Sequence, residues 1–324
     1  PASPRRCHWL QAGPEPIGRS MYKIEQNRKY PAPNWINHLQ AMNTTGPKGP
    51  RGLWSDVLLA KTDSKGNVEW ARSYGSTGPD EIYTSALAPA GGFLFGGTYS
   101  TSGDRKAAGL LLLKVDSEGE KEWARIYSGS SKTIASHITN TADGGWAIAA
   151  NIDSSRSDGQ DILLLKTDYQ GNLKRARTYG GNGIDGAQMV TETSDGGFIL
   201  AGSTASFGDT GTDAIFLKTD ELGNQQWALT FGKEGRDAAF SAVESAPRTF
   251  TIAGNTEGYG PGSHGIFLIQ VRDPEKPGTC LRPVKLIQSS AKLSIADPVL
   301  DGRDIDLNYQ SDSLRKQRVI PIEH

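Results

Sequence analysis

The sequence predicts an all-β protein, and three observations lead to this prediction. Glycine is abundant, with 39 residues in a chain of 324, a composition that suits many tight turns. Short runs of apolar and β-branched residues alternate with clusters of Gly, Asp and Asn, which is the pattern of strands joined by turns. No segment keeps an apolar period of 3.6 residues, so no major helix is predicted.

A ten-residue pattern recurs along the chain and defines an internal repeat. It begins at Lys61 as KTDSKGNVEW and returns at Lys114, Lys166 and Lys218, at intervals of 53, 52 and 52 residues. Pairs of glycines keep the same interval, and their second members are Gly92, Gly145 and Gly197. One more step reaches a degenerate fifth copy at Gln270. A pattern needed once per structural unit indicates scaffolding rather than a catalytic site.

Each repeat contains four predicted strands. In the best preserved copy these are AQMVTET, FILAGST, DAIFLKTD and QQWALTF, joined by SDGG, SFGDTGT and ELGN. Four antiparallel strands in every ~50 residues is the period of a propeller blade. The third strands, such as LLLLK, are apolar in succession, as expected where both faces of a sheet are covered. The sequence therefore predicts a β-propeller with five recognisable repeats and about six blades.

The two ends of the chain depart from the pattern. Residues 1–38 are an irregular N-terminal segment, residues 39–279 hold the repeats, and residues 280–324 form a degenerate C-terminal segment expected to close the propeller. Within it, the stretch from Asp301 to Tyr309 fits the start of a sixth blade. Cys7 and Cys280 are either two free thiols or one bridge between the ends, and the sequence leaves both open.

The repeat, written LLKTDxxGNxxWxxxYGG with a later DGGFILAG, resembles that of bacterial and archaeal secreted or cell-surface β-propeller repeat proteins. The resemblance runs from about Trp54 to Val271. It implies a propeller fold and an extracellular or cell-envelope location, and it implies no established reaction. No signal peptide is visible in the N-terminal residues.

The ten-residue pattern is also similar to the tryptophan-docking motif of quinoprotein-like propellers. Asp63, Gly66 and Trp70 keep the order of that motif, with one residue fewer between Asp and Gly. This resemblance implies that a tryptophan packs between neighbouring blades. The structural residues expected from it and from the repeat are Trp70, Trp123, Trp227, Gly92, Gly145 and Gly197. Arg175 replaces the tryptophan in the third copy, so that interface is expected to be the weakest.

The binding surface is expected on the face that collects the long loops, because function concentrates on loops held by a rigid scaffold. Asp80, Asp185 and Asp237 recur there at one position, with Thr133 as the exception. They could surround a cation such as Ca²⁺, which favours several oxygen ligands, or each could cap its own loop. Other aspartates of these loops do not fit the spacing of an EF-hand: Asp158, Asp161, Asp209 and Asp213.

Aromatic and arginine side chains on the same face are suited to stacking on a sugar or anchoring a partner protein. They are Tyr99, Arg105, Arg156, Phe207, Arg236 and Tyr259. Catalytic patterns are scarce, since neither a GxSxG elbow nor an HExxH pattern occurs.

The function expected from the sequence is a non-enzymatic scaffold that binds a protein or glycan through its long-loop face. A net charge of −1 argues against nucleic acid, and no apolar run of 18 residues predicts membrane insertion. A monomer without a cofactor is expected, and the one ion left open is Ca²⁺ at the loop carboxylates. Three alternatives remain: a quinoprotein-like oxidoreductase, a propeller glycoside hydrolase with two carboxylates across a cleft, or a fragment of a larger cell-surface protein.

Overall fold

The structure is a computed structural model that describes most of the repeat region and part of the C-terminal segment. The described residues are 39–45, 55–63, 67–76, 78–100, 109–129, 132–154, 159–259, 264–272, 281–291, 293–296 and 301–304. Side chains are described in these ranges except at 39–45, 55 and 301–304. All of the regular secondary structure in the described residues is β-strand, which confirms the all-β prediction.

The strands fall into five successive units. Unit 1 holds β1 (Leu39–Thr45), β2 (Ser55–Thr62) and β3 (Val68–Gly75). Unit 2 holds β4 (Asp80–Leu87), β5 (Phe93–Tyr99), β6 (Gly109–Val115) and β7 (Lys121–Ser128), and unit 3 holds β8 (Thr133–Asn140), β9 (Trp146–Asp153), β10 (Gln160–Thr167) and β11 (Leu173–Gly180). Unit 4 holds β12 (Asp185–Glu192), β13 (Phe198–Thr204), β14 (Gly211–Thr219) and β15 (Gln225–Phe231), and unit 5 holds β16 (Gly235–Ala246), β17 (Thr249–Thr256) and β18 (Gly265–Arg272).

Within a unit the strands pair antiparallel in chain order, as in a meander. In unit 3, for example, β8 pairs with β9, β9 with β10 and β10 with β11. Strand β1 pairs with β2 and therefore takes the place of a second strand in unit 1. A short parallel pairing of β14 with β16 joins units 4 and 5 at the start of these two strands.

The C-terminal segment runs back over units 4 to 1 in reverse order. Its strands are β19 (Arg282–Pro283), β20 (Ile287–Ser290), β21 (Ser294–Ala296) and β22 (Asp301–Asp304). They pair antiparallel with β15, β11, β7 and β3, the last strand of each unit. The described part of the stretch expected to begin a sixth blade, Asp301–Asp304, thus lies at the edge of unit 1. We call these four strands the strap.

The hydrophobic core is divided among the interfaces between successive units. In β6, Leu110 and Leu112 pack against unit 3, whereas Leu111 and Leu113 pack against unit 1. The interface of units 3 and 4 and that of units 4 and 5 are filled in the same way, by separate clusters. Full burial of such a side chain contributes about 1.5–3 kcal/mol. A continuous apolar third strand is required because both of its faces are covered.

Candidate functional site: the long-loop face

The connections of each unit lie at two opposite ends of the strands. The short-turn face holds the turns between the first and second strands and between the third and fourth strands. Its described residues are 63, 67, 88–92, 116–120, 141–145, 168–172, 193–197, 220–224 and 247–248. The long-loop face holds the loops between the second and third strands and the connections between units. Its described residues are 76, 78–79, 100, 129, 132, 154, 159, 181–184, 205–210, 232–234, 257–259 and 264.

On the short-turn face, the lysine of the ten-residue pattern is buried and ties the two turns of a unit together. Lys218 donates to both carboxylate oxygens of Asp195, at 3.0 and 2.9 Å, and to the carbonyl oxygen of Thr219 at 2.7 Å. Lys166 makes the same contacts with Asp143 in unit 3. Burial opposes ionisation of Asp143 and Asp195, but hydrogen bonds from lysine, threonine and glycine outweigh it and lower both pKa values to about 2.

Unit 2 solves the same problem with different residues. Ala90 stands where units 3 and 4 have the aspartate of the first turn. Lys114, which is fully buried, instead donates to Glu122 at 2.9 Å and to the carbonyl oxygen of Gly91 at 3.1 Å. A buried ammonium group needs a partner of opposite charge, and the chain supplies one either from the first turn or from the fourth strand.

The glycines and the aspartate of the turns also have a structural use. A Cβ atom at Gly92, Gly145 or Gly197 would lie 2.1–2.2 Å from the carbonyl oxygen of the last residue of the third strand. Only glycine allows that close approach. In the other turn, Asp168 accepts hydrogen bonds from the backbone and side-chain nitrogens of Asn172, at 2.8 and 3.0 Å. The side chain thereby closes the turn onto the local backbone.

The tryptophan of the pattern contacts the following unit. Trp70 donates from Nε1 to the carbonyl oxygen of Ser117 at 3.2 Å, and its ring lies against Gly119. At the interface of units 3 and 4, Arg175 donates to the carbonyl oxygen of Glu221 at 2.7 Å, the position equivalent to Ser117. The arginine therefore keeps the hydrogen bond of the tryptophan that it replaces and loses the aromatic surface.

The other two tryptophans of the set lie at interfaces as well. Trp123 packs against Gly171 of unit 3, and the guanidinium carbon of Arg125 lies 5.8 Å from the centre of its ring. Trp227 meets Phe250 of unit 5 edge to face, with ring centres 5.3 Å apart. The described residues of the short-turn face are thus used to build the units and to join them.

On the long-loop face, the three repeated aspartates lie at or near the start of the first strands of their units. Asp80, Asp185 and Asp237 are fully buried. Each accepts a hydrogen bond from the backbone N–H four residues earlier, at 2.7, 2.7 and 3.1 Å. Each carboxylate thus folds back onto its own connection between units. Their assignment to ligand binding stays a prediction.

A second buried aspartate, from the start of the third strand of the preceding unit, accompanies each of the three. The pairs are Asp56 with Asp80, Asp161 with Asp185, and Asp213 with Asp237. Between the members of each pair lies a glycine that either ends the last strand of the preceding unit or directly follows it. The interface of units 2 and 3 has Gly109 and Thr133 at the two aspartate positions instead.

The glycine is needed because the carboxylates fill its side-chain space. A Cβ atom at Gly232 would lie 1.7 Å from Oδ1 of Asp213 and 2.6 Å from Oδ2 of Asp237. A Cβ atom at Gly180 would lie 2.1 Å from Oδ1 of Asp161. Two buried carboxylates that lie this close together disfavour the doubly ionised state.

The electrostatics of the pairs follow from this geometry. Burial raises the pKa of Asp80 to about 7, hydrogen bonds from its own connection oppose the rise, and the charge of Asp56 adds to it. Burial also raises the pKa of Asp213, and the nearby carboxylates of Asp237 and Asp209 contribute in the same direction. Because the paired carboxylates are buried, they do not form an open cleft of the kind that a glycoside hydrolase presents to a sugar.

Tyr259, predicted to stack on a ligand, has both faces of its ring in contact with the protein. The ring stacks on Phe231 with centres 4.9 Å apart and an angle of 17° between the planes. The Nζ atom of Lys233 lies over the ring, 4.5 Å from its centre. Tyr259 therefore braces the connection between units 4 and 5.

Phe207 packs, partly buried, against the core between units 3 and 4, and Ile184, a residue that the sequence analysis did not select, belongs to the connection between the same two units. Ile184 is 59% exposed, and its carbonyl oxygen accepts a hydrogen bond from the backbone N–H of Ala205 at 2.8 Å. The backbone N–H of Gly183 donates to Ser206 Oγ at 2.8 Å. Two loops from neighbouring units are thus bonded together, and we call their apolar surface the Ile184–Phe207 patch.

The other aromatic and arginine residues predicted to bind a ligand belong to other segments of the chain than this patch. Tyr99 is partly buried against the core of units 1 and 2, and burial raises its pKa. Arg236 is exposed at the start of β16, where its backbone N–H donates to Glu257 at 3.0 Å. Arg105 and Arg156 lie outside the described residues, as do Cys7 and Cys280.

The first members of the aspartate pairs recur at one position of the repeat, and this recurrence is a sequence signal for the pairs. Asp56, Asp161 and Asp213 each stand five residues before the lysine of the ten-residue pattern. Arg282, in the strap, gave no such signal. It binds Asp209 with two nitrogen–oxygen contacts of 2.5 Å and so fixes the loop that leads to Asp213.

The described residues hold neither a large cluster of metal-ligating side chains nor a membrane-spanning helix. No group of three or more His, Cys, Asp or Glu side chains that could hold a metal ion is found among the residues whose placement is described. In the same part of the chain, no helix is long and apolar enough to cross a membrane.

Comparison with known proteins gives limited information. No protein-family model matches the chain. The chain is similar to the regulatory protein FlaEY of Caulobacter vibrioides, with 24% identity over 172 residues, which cover 45% of this chain and 18% of FlaEY. The chain therefore spans less than a fifth of the length of that relative.

Proposed function

We propose that the five units are blades of a β-propeller with about six blades, and that the protein is a non-enzymatic scaffold. It binds a protein or glycan partner through the long-loop face. The packing of each unit on the next supports the fold proposal, as does the apolar outer face of unit 5. On that face, Ile266 is 82% exposed and Leu268 is 58% exposed. The equivalent residues of unit 4, Ala214 and Phe216, are buried against the next unit.

The observation that carries the binding proposal is the Ile184–Phe207 patch. The turns of the opposite face use their polar side chains within the protein, whereas Ile184 is an exposed apolar side chain on loops that are bonded together. An exposed apolar side chain on loops that are held by hydrogen bonds is suited to anchoring a partner. Arg236 supplies an exposed cation on the same face. The resemblance to FlaEY, a regulatory protein by name, is compatible with binding.

The partner is proposed to be a protein or a glycan met outside the cell or in the cell envelope, by a monomeric chain that requires no organic cofactor. Location and oligomeric state are tested by fractionation of the source cells and by light scattering of the purified chain. The proposal includes neither nucleic acid binding nor insertion into a membrane.

The test is a binding screen of the labelled chain on a glycan array and against secreted and envelope proteins from the same source. Any ligand found is then measured with Ile184→Asp and with Leu222→Asp. Leu222 is a matched control, because it is an apolar side chain, 41% exposed, on the short-turn face. We expect Ile184→Asp to weaken binding at least tenfold, a loss of about 1.4 kcal/mol, and Leu222→Asp to leave it unchanged.

Equal affinities for all three proteins would contradict the assignment of the long-loop face. Turnover of a glycan during the screen, measured as release of a reducing end, would contradict the non-enzymatic proposal and favour a hydrolase.

A further inference from the structure

We propose that the aspartate pair between units 4 and 5 binds one Ca²⁺ ion through Asp213, Asp237 and Thr256. This proposal does not depend on the proposed partner or on the number of blades. It begins from buried oxygen atoms that have no hydrogen-bond partner in the described structure. Three such atoms are Oδ1 of Asp213, Oδ1 of Asp237 and Oγ1 of Thr256.

The three oxygens belong to one small region. Asp237 and Thr256 are opposite each other in the pairing of β16 with β17. Asp213 joins them from unit 4, because its Oδ1 and an oxygen of Asp237 both lie beside Gly232. The three side chains are at most 2% exposed. Buried polar atoms without a partner are few in folded proteins, so a group of them in one place indicates a ligand.

The charge of the region agrees with a divalent cation. Among the described residues, neither Asp213 nor Asp237 forms an ion pair. The two nearest cationic side chains are engaged elsewhere, since Arg282 binds Asp209 and Lys233 lies over the ring of Tyr259. Two buried carboxylates without an ion-pair partner are costly, and a proton or a cation bound between them would stabilise the pair.

In the equivalent pair between units 3 and 4, the protein itself supplies the hydrogen bonds of the second carboxylate. Asp185 accepts hydrogen bonds from Thr204 Oγ1, from Ser206 Oγ at 2.6 Å and from the backbone N–H of Gly181 at 2.7 Å. In unit 5, Gly258 replaces Ser206, so the hydroxyl that binds one carboxylate oxygen is missing. Asp237 keeps only the backbone hydrogen bond at 3.1 Å.

A cation accounts for all three oxygens, whereas a proton shared by the two carboxylates would leave Thr256 without a partner. Ca²⁺ accepts carboxylate, hydroxyl, carbonyl and water oxygens in irregular arrangements, which suits two carboxylates and one hydroxyl. The site has two acidic side chains, fewer than the three or more His, Cys, Asp or Glu side chains of the larger clusters considered above. Backbone carbonyl groups and water would therefore complete the coordination.

The proposal is tested by calorimetric titration of the full chain with CaCl₂ after removal of metal ions with a chelator. The variant Thr256→Val keeps both carboxylates and the shape of the side chain, and it removes a hydroxyl that has no partner in the fold. We expect its affinity for one Ca²⁺ ion to fall about tenfold, because one protein ligand is lost. The matched control is Thr204→Val, which we expect to bind that ion like the unaltered chain.

A second variant, Asp213→Asn with Asp237→Asn, should lose one bound Ca²⁺ per chain, while Asp161→Asn with Asp185→Asn should keep it. The proposal is overturned if the unaltered chain binds no Ca²⁺, or if Thr256→Val and Thr204→Val bind it equally. In those cases, a proton taken up by the pair on folding, measured by the pH dependence of stability, is the explanation that remains.

Discussion

At the scale of single residues, the buried lysine of each unit is the interaction most open to a direct test. Lys218 is almost fully buried and Asp195 is its only acidic partner among the described residues. Unit 2 has Ala90 and Glu122 at the positions of Asp195 and Gln226. The chain therefore pairs the buried lysine with an acidic residue in two different ways, and the arrangement of unit 2 can be introduced into unit 4 by mutation.

We expect Asp195→Ala to lower the free energy of unfolding by about 2 kcal/mol, because Lys218 keeps its charge and loses its acidic partner. Adding Gln226→Glu should restore most of the loss, since it recreates the arrangement of unit 2. Urea unfolding of the single and double variants measures both changes. If Gln226→Glu stabilises the unaltered chain as much as it stabilises Asp195→Ala, the acidic residue does not act through Lys218.

The raised pKa of Asp80 predicts that stability falls as the pH rises, the opposite of what an ordinary ion-paired carboxylate gives. Its folded-state pKa of about 7 lies above the unfolded value, so its contribution to stability is fully present below about pH 4 and is lost as the pH rises through 7. In Asp80→Asn the loss should be absent, because asparagine does not ionise. Urea midpoints from pH 4 to pH 8 measure the difference.

The control for this measurement is Asp168→Asn. Burial opposes ionisation of Asp168, but hydrogen bonds from Asn172 and the nearby Lys174 outweigh it and lower its pKa, so its titration falls below the pH window. Parallel curves for the unaltered chain and Asp80→Asn would show that the carboxyl group at position 80 is not protonated in the fold near neutral pH.

At the scale of elements, the fourth strand of each unit carries the side chain that reaches the next unit. Trp70 and Arg175 occupy equivalent positions and donate to equivalent carbonyl groups. The interface of units 3 and 4 was expected to be the weakest because of the missing tryptophan. The hydrogen bond of Arg175 limits that weakness to the loss of apolar contact.

We expect Trp70→Arg to cost less stability than Trp70→Ala, because arginine can keep the hydrogen bond to Ser117. A loss of about 2–3 kcal/mol is expected for the alanine variant, from buried area and the lost donor, and about half of that for arginine. Chemical unfolding of both variants measures this difference. Equal losses would mean that only the aromatic surface of Trp70 matters at this interface.

At the scale of the whole molecule, the outer face of unit 5 tests whether another blade follows. We expect Ile266→Asp to lower the free energy of unfolding by about 2 kcal/mol if a blade packs on this face, because a carboxylate would then be buried. Leu222→Asp, at an exposed turn, should change stability by less than about 0.5 kcal/mol. Equal, small effects of the two changes would argue that unit 5 ends the array in this chain.

Much of this architecture could be predicted because the repeat states it several times. The interval from Lys61 to Lys218 fixes the units, and the continuous apolar run before each lysine fixes the third strand. The strap could not be predicted in the same way. Arg282–Pro283 has no apolar alternation, and a short extended segment can pair with any open strand edge.

The aspartate pairs were only half predicted, for a related reason. Asp237 was selected because it recurs near the start of a first strand. Its partner Asp213 starts a third strand in another unit, and the contact between them exists only when the units pack. Chemistry formed between units is therefore harder to read from a repeat than chemistry formed within one.

The strap has a consequence for how the molecule unfolds. An array of units that contact only their neighbours can lose one unit at a time, starting from either end. Strands β19 to β22 are one stretch of chain bonded to units 4, 3, 2 and 1 in turn, so the last strand of each of these four units is bonded to the same stretch. Fraying of unit 1 frees β22 and so loosens the stretch that continues into β21 on unit 2. The strap thereby couples the opening of these four units, and because it follows the five units in the chain, this coupling arises only after they have been synthesised.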